Sequence, residues 1–276
     1  MANARRRFVH RVVSSAGAAA LISVAVLTAM SRHAAGGETT QAAATTDGRT
    51  VLVTGANRGL GLEFARQFSD AGWKVVATAR EPDKADELQK LGANVSVVPL
   101  DVTDAKSVAA LAKELEKQPI DLLINNAGVG VAIEGGPNLE ELKIADFEHV
   151  LQVNALGPVR VTQALLPNLR AGKGRTIVGI TSGLGSLTWN QQGRYYGYRE
   201  SKAALDMFIR TVAVELQPEG FVCIALMPGW VKTDMGGPNA TMTPEQSITA
   251  MRKVIEGLKP ADSGKLFNFD GTNPPW

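Results

Sequence analysis

The chain has 276 residues, 45% of them hydrophobic and 20% charged, an ordinary globular composition that excludes collagen, coiled coil and wholesale disorder. One cysteine, Cys223, precludes an intrachain disulfide, and three histidines beside it leave too few ligands for a structural zinc cluster. The net charge of +2 is unevenly placed: residues 1–44 hold five arginines (Arg5, Arg6, Arg7, Arg11, Arg32) and one acid, Glu38, so 45–276 retains 24 basic against 26 acidic residues and shows no basic excess that would point to nucleic acid.

The chain opens with a basic start, an uncharged run of 20 residues from Val12 to Ser31, and a small-residue stretch ending near Ala42-Ala43-Ala44. That is the three-part layout of an export signal, with an A-x-A cleavage site at its end. The start, ARRRFVH, resembles the twin-arginine pattern, with Arg5, Arg6, Arg7, Phe8, Val9 and His10 in its places and Ala4 where Ser or Thr is usual. Residues 1–44 are therefore read as an export signal outside the fold, directing the protein out of the cytoplasm. The alternatives are an uncleaved anchor, since residues 12–31 are long enough to span a bilayer, an organelle transit peptide, or an unprocessed tail. Membrane contact is expected only through residues 12–31.

Residues 45–276 read as one domain. Apolar, β-branched runs at 50–54, 74–79, 95–100, 120–125, 175–181 and 221–227 are nearly uninterrupted, as suits strands buried on both faces of a parallel sheet, and 264–269 predicts a seventh at the edge. Amphipathic stretches lie between them, at 62–72, closing on Gly72, at 104–117 and at 145–157. Alternation of this kind predicts a single α/β domain of Rossmann type, a doubly wound parallel sheet of about seven strands with helices on both faces.

The first strand runs straight into VTGANRGLG, placing Gly55, Gly59 and Gly61 between a strand and a helix start. Glycines there let the backbone turn tightly and approach a pyrophosphate, which the helix N-terminus receives. The spacing is G-x-x-x-G-x-G and not the G-x-G-x-x-G of ordinary dinucleotide folds. An NAD enzyme usually carries an acid about 20 residues beyond the loop, for the ribose 2′-hydroxyl. Here Thr78-Ala79-Arg80 stands at that place, with Glu81 one step on. Arg80, with Arg58 as a second clamp, suits a 2′-phosphate, so NADP is expected over NAD, with Glu81 the residue that speaks for NAD.

Further on, Tyr198 and Lys202 are four residues apart at the start of a long helical stretch and share a face. A free phenol titrates near pH ~10, too high for easy proton exchange at neutrality, and a nearby ammonium lowers that value, so the pair makes a tunable acid/base. Tyr195 and Tyr196 have Arg199 and Glu200 at the same offset; only Tyr198 has a lysine.

Taken together, these segments resemble the short-chain dehydrogenase/reductase family over about residues 50–270. TGANRGLG (Thr54, Gly55, Asn57, Arg58, Gly59, Leu60, Gly61) is similar to the family's cofactor loop, LDVTD (Asp101, Val102) to the segment that holds the adenine, and NNAG (Asn126, Ala127, Gly128) to the motif that supports the sheet and lines the cofactor. Asn154, Ser182, Tyr198 and Lys202 match the catalytic tetrad, and PGWVKTDM (Pro228, Gly229, Val231, Thr233) the segment that closes over the nicotinamide. Within the family, GITSGLGS, PGWVKTDMGG and SGKLFNFDG look most like the C-factor and carbonyl-reductase-like branch. One departure is visible: Ser182 lies 16 residues before Tyr198, a longer gap than the family's, and Tyr195 sits at the usual distance without a lysine.

The resemblance implies hydride transfer between NADPH and a small carbonyl or alcohol substrate. Ser182 would hydrogen-bond the carbonyl oxygen, Tyr198 would deliver the proton, Lys202 would lower the tyrosine pKa and bind the nicotinamide ribose, and Asn154 would hold a water linking Lys202 to solvent. No metal is called for, and a homo-oligomer is compatible. The alternative is a non-catalytic NADP-binding sensor or interaction protein of the same fold, against which the intact Ser182, Tyr198 and Lys202 speak. His149 reads as a helix-surface residue, Cys223 as core, and Glu140-Glu141 as a solvated helix start. Trp189, Trp230, Met235 and Met242 are read either as an apolar substrate lid or as loop packing.

Overall fold

The computed structural model describes residues 48–130 and 136–276; the signal and anchor readings of residues 1–44 lie outside the described residues. The elements follow in the order β1 (Thr50–Val53), α1 (Gly59–Asp70), β2 (Lys74–Ala79), α2 (Asp86–Gln89), β3 (Val95–Pro99), α3 (Ala105–Glu114), β4 (Leu122–Asn125), α4 (Ile144–Leu151), α5 (Gly157–Ala171), β5 (Thr176–Ile180), α6 (Tyr198–Leu216), β6 (Val222–Met227), α7 (Pro244–Glu256) and β7 (Leu266–Asn268). The seven strands form one sheet in the order β3-β2-β1-β4-β5-β6-β7, every pair parallel, with β7 at the edge as its sequence predicts.

The register explains why the strand sequences are apolar throughout. Val76, Leu52, Leu123, Ile177 and Cys223 are successive partners across the sheet and point into one core, with Val108 and Leu111 of α3, Val161 and Leu165 of α5, and Leu205 and Ile209 of α6. One residue later along each strand, Ala77, Val53, Ile124, Val178 and Ile224 form the opposite row and pack against Phe64 and Phe68 of α1 and Ile248 and Met251 of α7. Successive strand residues face opposite layers, so both must be apolar.

Helix ends follow their chemistry. Asp104 caps α3 by accepting from the Lys106 amide, and Thr243 and Gln246 close a reciprocal capping box at α7, with Pro244 in its first turn. Gly72, after α1, has φ +80, the left-handed conformation expected of it. The stretch 145–157 is the exception to a simple helix: α4 gives way to a π turn at Gln152–Leu156 before α5 begins, and Asn154 sits in that turn. Such a widened turn occurs often at functional sites.

At the N-terminal edge of the sheet, Asp121 is buried, and its carboxylate accepts from the amides of Thr50 (2.8 Å), Lys173 (2.8 Å) and Gly174 (3.0 Å). One side chain therefore ties the start of β1 to the loop entering β5. Asp121→Ala strands three amide donors. It should lower unfolding stability by about 2–4 kcal/mol, read by urea denaturation. Wild-type stability would contradict this.

Candidate active site

Six of the segments singled out in the sequence lie immediately after the C-terminal ends of six parallel strands: Thr54–Gly61 after β1, Arg80 after β2, Asp101 and Val102 after β3, Asn126–Gly128 after β4, Ser182 after β5, and Pro228–Thr233 after β6. They share one edge of the sheet. The chain leaves β1 toward β2 on one side, while β4 borders β1 on the other, which opens a crevice between the β1 and β4 loops.

Those two loops are stitched together. The Thr54 hydroxyl accepts from the amides of Asn126 (3.0 Å) and Ala127 (2.9 Å), and Asn126 Nδ2 donates to the carbonyls of Thr54 (2.9 Å) and Gly55 (3.1 Å). Gly61 allows this closeness: a Cβ there would lie 2.2 Å from the Gly55 carbonyl oxygen and 2.6 Å from Asn126 Nδ2. Gly59 has φ +55 and opens α1. Arg58, at the helix N-cap, makes no side-chain cap bond, and the first turn holds no acid, so the positive end of α1 faces the crevice uncompensated. Asn57 is exposed beside it, and Leu60 is half-buried.

Asp101 Oδ1 accepts from the Thr103 hydroxyl (2.7 Å) and amide (2.8 Å); the hydroxyl bond foremost, and the Arg80 charge to a lesser degree, hold its carboxyl below the ordinary carboxylate value. Val102 is buried against Gly157. Arg80 is exposed, and Glu81 is ion-paired with Lys84 at 3.0 Å. Arg58 reaches across to Asp234 (2.7 Å), joining the glycine loop to the strap that follows β6. Thr233 Cγ2 lies near Gly59, Val231 is buried and bridges to Met242, the Pro228 carbonyl accepts from Ser247, and Gly229, at φ +78, packs on Met242 and Phe269.

Ser182 caps the short turn Gly183–Gly185 by accepting from the Leu184 amide at 3.2 Å, and its hydroxyl lies near enough to the Tyr198 phenol to act on its ionisation. Tyr198 is the first residue of α6, and Lys202 lies one turn on, with Nζ 5.6 Å from the Tyr198 ring centre and donating to the Ile180 carbonyl at 2.9 Å. Burial raises the Tyr198 pKa above that of a free phenol, and the nearby Ser182 hydroxyl opposes the rise. This differs from the expectation that Lys202 is the group lowering it. Lys202 is itself buried, and its pKa is pushed down to about 8.

Asn154 Oδ1 accepts from the Val129 amide (2.8 Å), and its Nδ2 donates to the Val129 carbonyl (2.9 Å) and Ser201 Oγ (3.1 Å). It thus braces the exit of β4 against α6. Both amide protons are spent, which leaves one Oδ1 lone pair for a water.

The long gap between Ser182 and Tyr198 has a physical support that the sequence did not reveal. Arg199 is buried, and its guanidinium donates to the carbonyls of Leu184 (3.2 Å), Gly193 (3.1 Å) and Arg194 (3.1 Å), pinning the extra loop to α6. Tyr195 lies outside the helix at φ +56, backed onto Gly136 with its ring 5.7 Å from the Arg199 guanidinium. Tyr195 therefore packs the loop, and Tyr198 meets Ser182.

The four large apolar residues divide. Trp189 stands over Gly183 and Met235 against Gly130, both about half exposed at the rim of the crevice, whereas Trp230 donates to the Gly236 carbonyl (2.8 Å) and Met242 underlies Gly229, both within the strap. Cys223 is buried in β6, and its thiol is pushed up to about 12 by that burial, consistent with a core residue. A groove of about 940 Å³ between α7 and the segment Phe267–Gly271 contains none of the site residues; the convergent polar groups lie in the crevice.

The family profile described as short chain dehydrogenase matches residues 49–243. Among curated proteins, C-signal of Myxococcus xanthus is 48% identical over 168 residues, covering 60% of this chain and 99% of its own. Among solved structures, an NADPH-bound carbonyl reductase from chicken fatty liver superposes with a TM-score of 0.77 at 37% identity, covering 83% of this chain and 100% of its own. A short-chain dehydrogenase/reductase from Burkholderia multivorans with bound NADP superposes with a TM-score of 0.75 at 30% identity, covering 83% and 99%.

Proposed function

The chain belongs to the short-chain dehydrogenase/reductase family, and on that premise we propose that it is an NADPH-dependent oxidoreductase interconverting a carbonyl and a secondary alcohol through Ser182, Tyr198 and Lys202. The observation that carries this reading is the Tyr198 ring 5.6 Å from the buried Lys202 ammonium one turn on, with the Ser182 hydroxyl acting on the phenol, beside a glycine-lined crevice.

The crevice fits a dinucleotide. Gly61 lets the glycine loop close against Asn126 at the start of α1, whose N-terminal end is free to receive a pyrophosphate. Asp101 is poised as an acceptor for the adenine, and Lys202 for the nicotinamide ribose. NADP is favoured because the exposed Arg80 suits a 2′-phosphate while Glu81 is engaged with Lys84. To join Arg80 there, Arg58 would exchange Asp234 for the phosphate; both partners of that pair are largely exposed, so the exchange costs little. The chicken and Burkholderia structures, with NADPH and NADP bound, support the same preference.

When bound, the cofactor supplies the hydride that a carbonyl carbon accepts. Negative charge then builds on the carbonyl oxygen, where the Ser182 hydroxyl donates a hydrogen bond and Tyr198 hands over its proton. Burial keeps the phenol protonated at neutral pH, the form a reduction consumes. The Lys202 ammonium stabilises the phenolate left behind, and Asn154 holds α6 in register with the β4 exit. Trp189 and Met235 offer the substrate an apolar rim. The C-signal relative, whose name describes a signal, keeps the non-catalytic alternative in view.

Tyr198→Phe removes a general acid and one hydroxyl. It should cut turnover by at least about a hundredfold while NADPH binding stays nearly intact. Tyr195→Phe should leave turnover near normal. The reverse pattern, measured by steady-state kinetics and calorimetry, would transfer the role to Tyr195.

Residues 1–44 form part of the same proposal. A Rossmann crevice exists only in the folded sheet, because Thr54, Gly55 and Asn126 come from strands 70 residues apart in sequence. Twin-arginine export of a folded, NADP-loaded enzyme reconciles the signal with the site. Changing Arg5 and Arg6 to Lys should retain an active full-length precursor inside the cell. Unaltered localisation would contradict export by that route, and an uncleaved protein in the membrane fraction would make residues 12–31 an anchor.

A further inference from the structure

Tyr198, Lys202 and Asp206 follow one another at intervals of four along α6 and so stack on one face. The mechanism above uses the first two. Asp206 is as deeply placed as Lys202, at 8% and 5% exposure, and a buried acid without a task is costly. Among the described residues its Oδ1 has no hydrogen-bond partner, nor has Thr181 Oγ1. That hydroxyl, from the residue just before Ser182, lies close enough to lower the Asp206 pKa without completing a hydrogen bond to it. Lys202 Nζ, with three protons to donate, makes one bond, to the neutral carbonyl of Ile180.

We propose that Asp206 is a positioning residue, the buried counter-ion that keeps the Lys202 ammonium charged beneath Tyr198. The proposal rests on the reading of Lys202 given above. An ammonium buried against neutral groups alone sheds its proton. Among the described residues, the elements packed around α6 supply no other compensating charge. From β5 and the residues after it come the Ile180 carbonyl and the Thr181 hydroxyl, from the π turn the neutral Asn154, and from β6 the thiol of Cys223, which stays protonated. Asp146, Glu148 and His149 of α4 are exposed and act on neither group, and Glu219 beyond the end of α6 is taken by Arg170.

The ionisation of the two groups agrees with this placement. Burial lowers Lys202 to about 8, with Asp206 the charge that resists; burial raises Asp206 to about 6, against the Thr181 hydroxyl and Lys202. Between those values both groups are ionised. As pH rises through the upper value the lysine loses its charge, and as pH falls through the lower one the aspartate loses its own. The pair therefore confines the charged lysine and its partner to a band around neutrality. Asp206→Asn keeps the shape and removes the partner, so Lys202 should then deprotonate at a lower pH.

The test is an NMR titration of side-chain-labelled lysine in the full chain without cofactor, with the Lys202 signal assigned by its loss in Lys202→Met. In Asp206→Asn the Lys202 midpoint should fall by about one pH unit or more, and Asp206→Glu should restore it. The basic limb of the kcat/KM profile should move down by the same amount, while kcat at the variant's own optimum recovers. An unmoved midpoint overturns the proposal whatever the activity. A moved midpoint in a protein that reduces no carbonyl upholds the pair and sinks the catalytic reading instead. If Asp206→Asn fails to fold, Thr181→Val decides: the lower-pH step that Asp206 imprints on the Lys202 signal should shift upward, and an unmoved step overturns the proposal.

Discussion

Parallel pairing along the whole sheet makes every strand exit at the same edge, and the site depends on that constraint. Segments from six places in the chain, from Thr54 to Thr233, meet because the strands before them run one way and lie in the order β3-β2-β1-β4-β5-β6. The cost of that arrangement is a sheet buried on both faces, satisfied by two apolar rows in register, one through Leu52 and one through Val53. Asp121 secures the opposite edge, where three amides would otherwise be left without acceptors. Structural and functional polar groups thus occupy opposite ends of the same strands.

At the edge that carries the candidate site, burial and close neighbours set the ionisation of the key side chains. Buried Lys202 and Asp206 and half-buried Tyr198 lie on one helix face, where each charge matters more than it would in water. Burial alone pulls the tyrosine and the aspartate up and the lysine down. The opposing pulls come from neighbours: Ser182 on the phenol, Asp206 on the lysine, Thr181 on the aspartate. Ser182 and Thr181 are adjacent in sequence, so one short segment after β5 contacts both ends of the trio.

Much of this was legible in the sequence because it is periodic or local. Uninterrupted apolar runs named all seven strands, including the edge strand at Leu266–Asn268, and the i, i+4 rule singled out Tyr198 with Lys202. Glycines that admit no Cβ stood out by their place between strand and helix, as Gly61 does. Three features were hidden because they depend on tertiary contact. The π turn at Asn154 is invisible to a pattern that reads 145–157 as one helix. Arg199 looks like any surface arginine until its guanidinium is found among loop carbonyls, where it explains how the chain tolerates the long gap before Tyr198. Arg58 was expected to face a phosphate, and its pairing with Asp234 joins loops 176 residues apart. Asp206 was within reach of the periodicity argument, one turn beyond Lys202, but nothing in the sequence alone shows that it is buried.

The central proposal is that these residues form a working NADPH-dependent carbonyl site. The most direct measurement is the loss of absorbance at 340 nm when the purified protein is given NADPH, and in parallel NADH, with a panel of aldehydes and reactive dicarbonyls. NADPH should be oxidised steadily with several members of the panel, and NADH used at least about tenfold less well, since a charge-assisted bond from Arg80 to the 2′-phosphate is worth about 1.5–3 kcal/mol. Tight binding of NADPH with no oxidation across the panel would contradict the proposal and favour a nucleotide-binding sensor.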